Sequence, residues 1–292
     1  MRKISDRIFT GFVSLLALAA VLILAFLIFF IVRESIPAIR DVGLKELLLS
    51  SEWRPVIYKD APSYGMKNMV LSTLYVSVLA VLIAFVIGVG CALFLACSAT
   101  SKQRTLIMPY IDLLASVPSV VYGFIGLYIV VKFIENCGRA AGESVLAGGI
   151  VLAVMILPYM ISSCCDTMVR INDRYLAPSK SLGISRWYMA SQLVLPASRR
   201  GILVSMALAT GRAMGETMAV MMVLGNAMAK PTLLGKGETL SALIAMEMGM
   251  AEFGSTHFSA LYVAGLVLMV ILFAINIIFE LIKKKLNKEG SL

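Results

Sequence analysis

Charge is scarce in this chain of 292 residues. Asp, Glu, Lys and Arg together make up 15% of it, where a soluble domain carries about 25%. There is one histidine, and there are five cysteines (Cys91, Cys97, Cys137, Cys164 and Cys165) with no C-x-x-C spacing. An odd count without a framework argues against both a disulfide scaffold and a zinc site, and the thiols read as small core residues. No G-x-x-x-x-G-K-[ST] run is present, so the chain does not itself cradle ATP. H-E-x-x-H, G-x-S-x-G and paired-carboxylate spacings are missing too. Asp112, Glu247 and His257 stand isolated in the sequence, which leaves hydrolytic chemistry without carriers.

What is abundant is apolar. The hydrophobic fraction is 60%, against roughly 45–50% for soluble domains, and mean hydropathy is +0.91. A water-soluble core cannot hide that much apolar surface, and a disordered chain needs the opposite composition. Six stretches approach the roughly 20 residues a helix needs to cross a bilayer: 8–32, 71–96, 105–134, 145–163, 202–228 and 259–282. All are too long for strands of an outer-membrane barrel, and none alternates strictly. The first follows Arg2, Lys3 and Arg7 but runs about 25 residues and ends without a small-x-small cleavage site, so it reads as a retained anchor and not a signal peptide.

The formal charge of +9 is unevenly placed. Lys and Arg beside the chain termini and in the segments around 102–104 and 170–200 number 15, against 9 in 33–70, 135–144 and 229–258. The positive-inside rule then predicts both termini in the cytoplasm and those three segments outside. The tail KKKLNK fits a topology and lipid anchor and not a nucleic-acid site. Glu238, Glu247 and Glu252 are expected to form a solvated outer acidic face, and His257 a solvated or interfacial position.

The longest inward loop, 164–201, is also the most basic. Two short helical patterns are expected in it, about 173–182 and Ser185 to Val194, with Ser185 as N-cap and Gly183 at a C′ position that needs positive φ. Trp187, Tyr188, Leu193 and Leu195 would give the hairpin an exposed apolar face, suited either to lipid or to a soluble partner. The third stretch holds ASVPSVVYGFIGL, residues 115–127, broken by Pro109 and Pro118 with Gly123 and Gly126 nearby. Such a span marks either a translocation path or a packing kink. The fifth holds GRAMGETMAVMMVLGNA, residues 211–227. Arg212 falls ~15 Å into it, near the midplane. A lone arginine there costs at least ~2.5–3.5 kcal/mol. Glu216 is four residues on, on the same helical face, and is expected to pair with it. The pair either stitches the bundle or serves an anion path, where the guanidinium fork suits phosphate oxygens; Thr210 and Thr217 would add hydroxyls.

Gly183, Leu193, Leu195 and Pro196 have the spacing of the EAA loop of ABC-importer permeases, with Ala177, Pro178 and Ser179 where that pattern has Glu-Ala-Ala. SVPSVVYGFIG at 116–126, LPASRRGI at 195–202, GRAMGETMAVMMVLGN at 211–226 and the loop at 51–65 together resemble the phosphate-specific (Pst-type) ABC transporter permeases, most closely their C-type subunit. That resemblance implies an all-α membrane protein with six transmembrane helices and the type I, MetI-like permease fold. It divides the chain into an anchor helix with an outward loop, 1–70, and a permease domain, 71–285. Gly183, Ser185, Trp187, Leu193, Leu195 and Pro196 would couple to a cytoplasmic ATPase dimer, and Arg212, Glu216, Thr217, Ser116 and Ser119 would line the substrate path. It further implies a second, A-type permease subunit, an extracytoplasmic phosphate-binding protein and a bacterial plasma-membrane location. ATP and Mg would be bound by the ATPase and no cofactor by this chain. Import of another oxyanion or small solute by the same class of ABC importer, and ion-coupled secondary transport, are the alternatives.

Overall fold

The computed structural model describes residues 2–55, 62–138 and 141–289, and among them the chain is almost wholly helical. The helices are α1 (Arg2–Asp41), α2 (Leu44–Leu49), α3 (Lys67–Cys97), α4 (Ser101–Ala115), α5 (Ser119–Gly126), α6 (Lys132–Asn136), α7 (Val145–Ser181), α8 (Arg186–Tyr188), α9 (Leu195–Ala197), α10 (Arg199–Gly215), α11 (Met218–Val223), α12 (Leu240–Glu247) and α13 (Thr256–Glu289). Wide π-turns over Leu127–Val131 and Met189–Val194 join α5 to α6 and α8 to α9. A two-residue antiparallel ladder, β1 (Trp53–Arg54) with β2 (Ser63–Tyr64), pins the loop after α2. Lys59 and Arg139 of the charge tally lie outside the described residues.

The centre of the bundle is α3 lying against α7. Ala80, Ala84, Gly88, Ala92 and Ala96 recur every fourth residue of α3 and are all buried. In a bilayer, where apolar surface gains nothing by leaving lipid, such a small-residue stripe lets two backbones approach and pack closely. Gly148 of α7 meets Val76, and Gly88 meets Met160, so the two helices run parallel. Met155, Ile156, Met160 and Met168 of α7 complete this core, with Ala209 and Ala213 of α10 against it. A second, smaller core gathers Leu47, Trp53, Tyr64, Met66, Leu240, Leu243 and Ala264 near the start of α3 and α13.

Five described helices are long and apolar enough to span a membrane, and the count is up to six when the pair Arg186–Ala197 with Arg199–Gly215, bent by 62°, is taken as one span. The chain is therefore a multi-pass all-α membrane protein. Span boundaries differ from expectation at three places. The stretch 105–134 is not one helix: α4 stops at Ala115 and α5 restarts at Ser119, because Pro118 lacks an amide hydrogen and disfavours a helical residue before it. The stretch 202–228 is broken between Gly215 and Met218. The fourth span and the first half of the hairpin are one 37-residue helix, α7. At 1.5 Å per residue it is about 55 Å long, well beyond the ~30 Å of hydrocarbon, so its far end projects from the membrane.

Candidate functional site: the broken spans and the projecting hairpin

The helices that follow the two breaks, α5 and α11, pack on each other through glycine. A Cβ added at Gly123 of α5 would stand 2.9 Å from the Ala219 Cα of α11 and 2.9 Å from the Met222 Sδ. Gly126 is likewise pressed against Val151 of α7. These glycines are close-approach positions, and they dock the broken third span on the end of the broken fifth. Tyr122 ties the break itself, its hydroxyl donating to the Leu114 carbonyl at 2.8 Å. Ser116 caps the end of α4, donating to the Leu113 carbonyl at 2.7 Å, and is exposed. Ser119 opens α5 and is half-exposed.

At the other break the backbone of Glu216 is extended, φ −71° and ψ 127°. Its carboxylate folds forward to accept from the Ala219 amide at 3.2 Å, satisfying a free N–H at the start of α11. The Glu216 carbonyl accepts from the Ser241 hydroxyl at 3.0 Å, which fastens the break to the first turn of α12. Arg212 is one turn earlier, exposed, and within electrostatic reach of the Tyr122 hydroxyl. The expected Arg212–Glu216 pair is absent among the described residues. Spacing of four places two side chains together only where the helix continues, and here it ends at Gly215. Thr210 is buried with its hydroxyl on the Met206 carbonyl at 2.8 Å, so it adds nothing to a cavity. Thr217 is half-exposed at the break. Arg212, Glu216 and Thr217 thus flank one break along the chain with no described contact between Arg212 and the other two, and Arg212 reaches the third-span break only through its charge on Tyr122. No described contact joins Ser116 or Ser119 directly to Arg212.

At the projecting end, α7 finishes as expected from Gly183. Its φ is +67°, the Gly183 amide donates to the Lys180 carbonyl at 3.2 Å, and the Ile184 amide donates to the Ser179 carbonyl at 2.9 Å. This is the two-bond C-terminal motif that a left-handed glycine permits. Ser185 then caps α8, its hydroxyl accepting from the Tyr188 amide at 3.2 Å. Leu182, Trp187 and Tyr188 are exposed at 75%, 76% and 54%. Leu193 and Leu195 are not on that face. They are half-buried against the central core, because the π-turn over Met189–Val194 rotates them inward. Leu182 takes their place on the exposed apolar tip.

Sequence reasoning missed the opposite end of the bundle. Glu247 is buried and its Oε2 accepts from the Trp53 indole N–H at 2.8 Å and lies 2.8 Å from His257 Nε2. Tyr64 stacks on the His257 ring, and Trp53 meets Tyr64 edge-on. Glu238 is 2% exposed, with one carboxylate oxygen left without a partner among the described residues. Burial, and then the negative charge of Glu247, push its carboxyl up to about 7. The expected solvated acidic face is therefore an interior cluster for Glu238 and Glu247. No periodicity ties positions 53, 64, 247 and 257 together; Trp53 and His257, rare residue types in this chain, were the one available signal.

The arrangement is that of a membrane permease: a parallel helix core, two interrupted spans packed on one another, and a helical hairpin thrown clear of the bilayer. The pattern of the binding-protein-dependent transport system inner membrane component family matches residues 88–288, and the chain belongs to that family. Among curated proteins it is 35% identical over 237 residues to the probable ABC transporter permease protein YqgH of Bacillus subtilis, covering 80% of this chain and 76% of that one. It is 34% identical over 264 residues to the phosphate transport system permease protein PstC of Xylella fastidiosa, covering 83% and 80%. Among solved structures, the MetNI methionine ABC transporter in an inward-facing conformation superposes with a TM-score of 0.60 at 13% identity, over 74% of this chain and 93% of that one. The chain thus has the fold of an ABC-importer permease.

Proposed function

We propose that the chain is the membrane-spanning subunit of an ATP-driven importer of inorganic phosphate, corresponding to the C-type permease. The observation that carries this reading is Arg212. Its guanidinium is exposed roughly 20 Å along α10 from Arg199, at membrane depth, beside a backbone break. Facing lipid there would cost at least ~2.5–3.5 kcal/mol, so that surface looks into a wet path between this chain and a second permease. A planar guanidinium suits the oxygens of a phosphate, and the interrupted helices free backbone and hydroxyl groups of Ser116, Ser119 and Thr217 to line the same path. Glu216 sets the geometry of the break through its bond to the Ala219 amide. Relatives that are phosphate transport system permease proteins support phosphate as cargo.

In this reading Gly183, Ser185, Trp187, Leu193, Leu195 and Pro196 build the hairpin that seats on a cytoplasmic ATPase dimer. Its exposed tip is Leu182, Trp187 and Tyr188, held at a fixed angle by Gly183. ATP and Mg²⁺ belong to that ATPase. Both termini are cytoplasmic in a bacterial plasma membrane, a phosphate-binding protein docks outside, and an A-type permease completes the pair. Residues 1–70 serve as anchor and outward loop, 71–285 as the permease domain.

The test is uptake of radiolabelled phosphate into vesicles reconstituted with the chain, its sister permease and the ATPase, loaded with ATP or given an ion gradient alone. Uptake driven by ATP, lost in Arg212→Gln with normal complex assembly and partly regained in Arg212→Lys, is the expected result. Gradient-driven uptake without ATP, or full uptake by Arg212→Gln, would refute it.

A further inference from the structure

On the flank of the bundle, at the end that carries the hairpin, α3, α10 and α13 do not close on one another. They leave an open groove of about 760 Å³. Val86 and Val89 of α3, Ile202 and Met206 of α10, and Ile282 and Leu286 of α13 form its walls. Among its described lining residues Arg199 is the one that carries charge, and it stands at the mouth. The Arg199 Nε donates to the Pro196 carbonyl at 2.8 Å, while its terminal guanidinium nitrogens have no protein partner among the described residues. Arg200 crosses the mouth, its Nη2 donating to the Leu286 carbonyl at 3.3 Å. Lys284 and Lys285, next to Leu286 in sequence, are exposed. The nearby carboxylate, Glu280, is already paired with Lys283.

We infer that this groove is a binding site for one anionic glycerophospholipid, its acyl chains between α3, α10 and α13 and its headgroup phosphate on Arg199 and Arg200. The apolar walls ask for hydrocarbon. The rim asks for an anion at the depth where a bilayer places its headgroups, and basic pockets between membrane helices at that level bind acidic headgroups. A zwitterionic lipid would bring its own ammonium to a rim that is already cationic. An apolar helix from another chain would fill the walls but leave the Arg199 guanidinium unanswered. The groove is separate from the proposed path, since Arg212 lies about 120° round α10 from Met206. The inference does not depend on which side of the membrane this end faces.

The whole complex, purified with its partner subunits in mild detergent and washed, should retain anionic phospholipid in excess of its share of the membrane, detected by mass spectrometry of the extract. Arg199→Gln with Arg200→Gln should lower that retention by roughly tenfold or more, and Arg199→Lys should keep most of it. Val89→Trp, which fills the groove and leaves the rim charge intact, should also abolish it. Three results would overturn the proposal: retained lipid no more anionic than the bulk, retention undiminished from wild type in the rim and groove variants, or crosslinking of Val86→Cys to the second permease chain in intact membranes.

Discussion

Adding one methyl group at Gly123 should uncouple transport from assembly. In Gly123→Ala the new Cβ would lie 2.9 Å from the Ala219 Cα and 2.9 Å from the Met222 Sδ. The Met222 side chain is flexible and can swing aside. The Ala219 Cα is backbone, and its own amide holds the Glu216 carboxylate at 3.2 Å, so α11 must shift and pull on the break beside Arg212. Overpacking of this kind costs about 1–3 kcal/mol. If that cost falls on the transport conformations, uptake drops by roughly 5- to 150-fold. Gly211→Ala is the matched control: nothing lies within 4 Å of its added Cβ, and alanine is the better helix former by about 1 kcal/mol. Adding Met222→Ala to Gly123→Ala relieves only the sulfur contact, so rescue should be partial. The assay is phosphate uptake at matched membrane abundance and matched co-purification of the ATPase. Wild-type uptake by Gly123→Ala, or equal losses in Gly123→Ala and Gly211→Ala, would refute the close-packing argument.

Three further outcomes are expected. Gly183→Val forces a β-branched residue to φ +67°, at a cost of about 1–2 kcal/mol or more; the permease should still insert but lose ATPase co-purification, and normal co-purification would count against the hairpin as the docking element. A cysteine at Lys230 should label from outside intact cells and one at Lys284 only after permeabilisation; the reverse pattern would invert the topology. Glu238 titrates near 7 in the folded chain against 4.5 when solvated. The folded state therefore holds more protons between those values, and its contribution is full below about 4.5 and is lost as pH rises through about 7. The thermal unfolding midpoint of wild type relative to Glu238→Gln should fall between pH 5 and pH 8, and parallel curves would show that Glu238 is not buried as described.

Much of this molecule was legible one residue at a time. Composition alone required a bilayer, because 60% apolar residues have no other solvent. Long apolar runs located the spans, since a helix must satisfy its own backbone in hydrocarbon. Gly183 and Ser185 announced the hairpin, because positive φ and N-capping are local properties of the chain. The alanine and glycine stripe on α3 is equally local, although only the facing α7 gives it a purpose. What no window of sequence contains is which segments meet. The Arg212–Glu216 spacing implied a pair only on an unbroken helix. The break at Gly215, fastened by Ser241 from α12 and by Gly123 from α5, sends the carboxylate to Ala219 instead. Leu193 and Leu195 turn inward on a π-turn that periodicity of 3.6 cannot anticipate. Trp53, Tyr64, Glu247 and His257 are scattered over two hundred positions and become one buried cluster only when the loop after α2 lies across the start of α13. Local chemistry is written in neighbours along the chain, whereas burial, partnership and charge state depend on neighbours in space, and those exist only after the helices have packed.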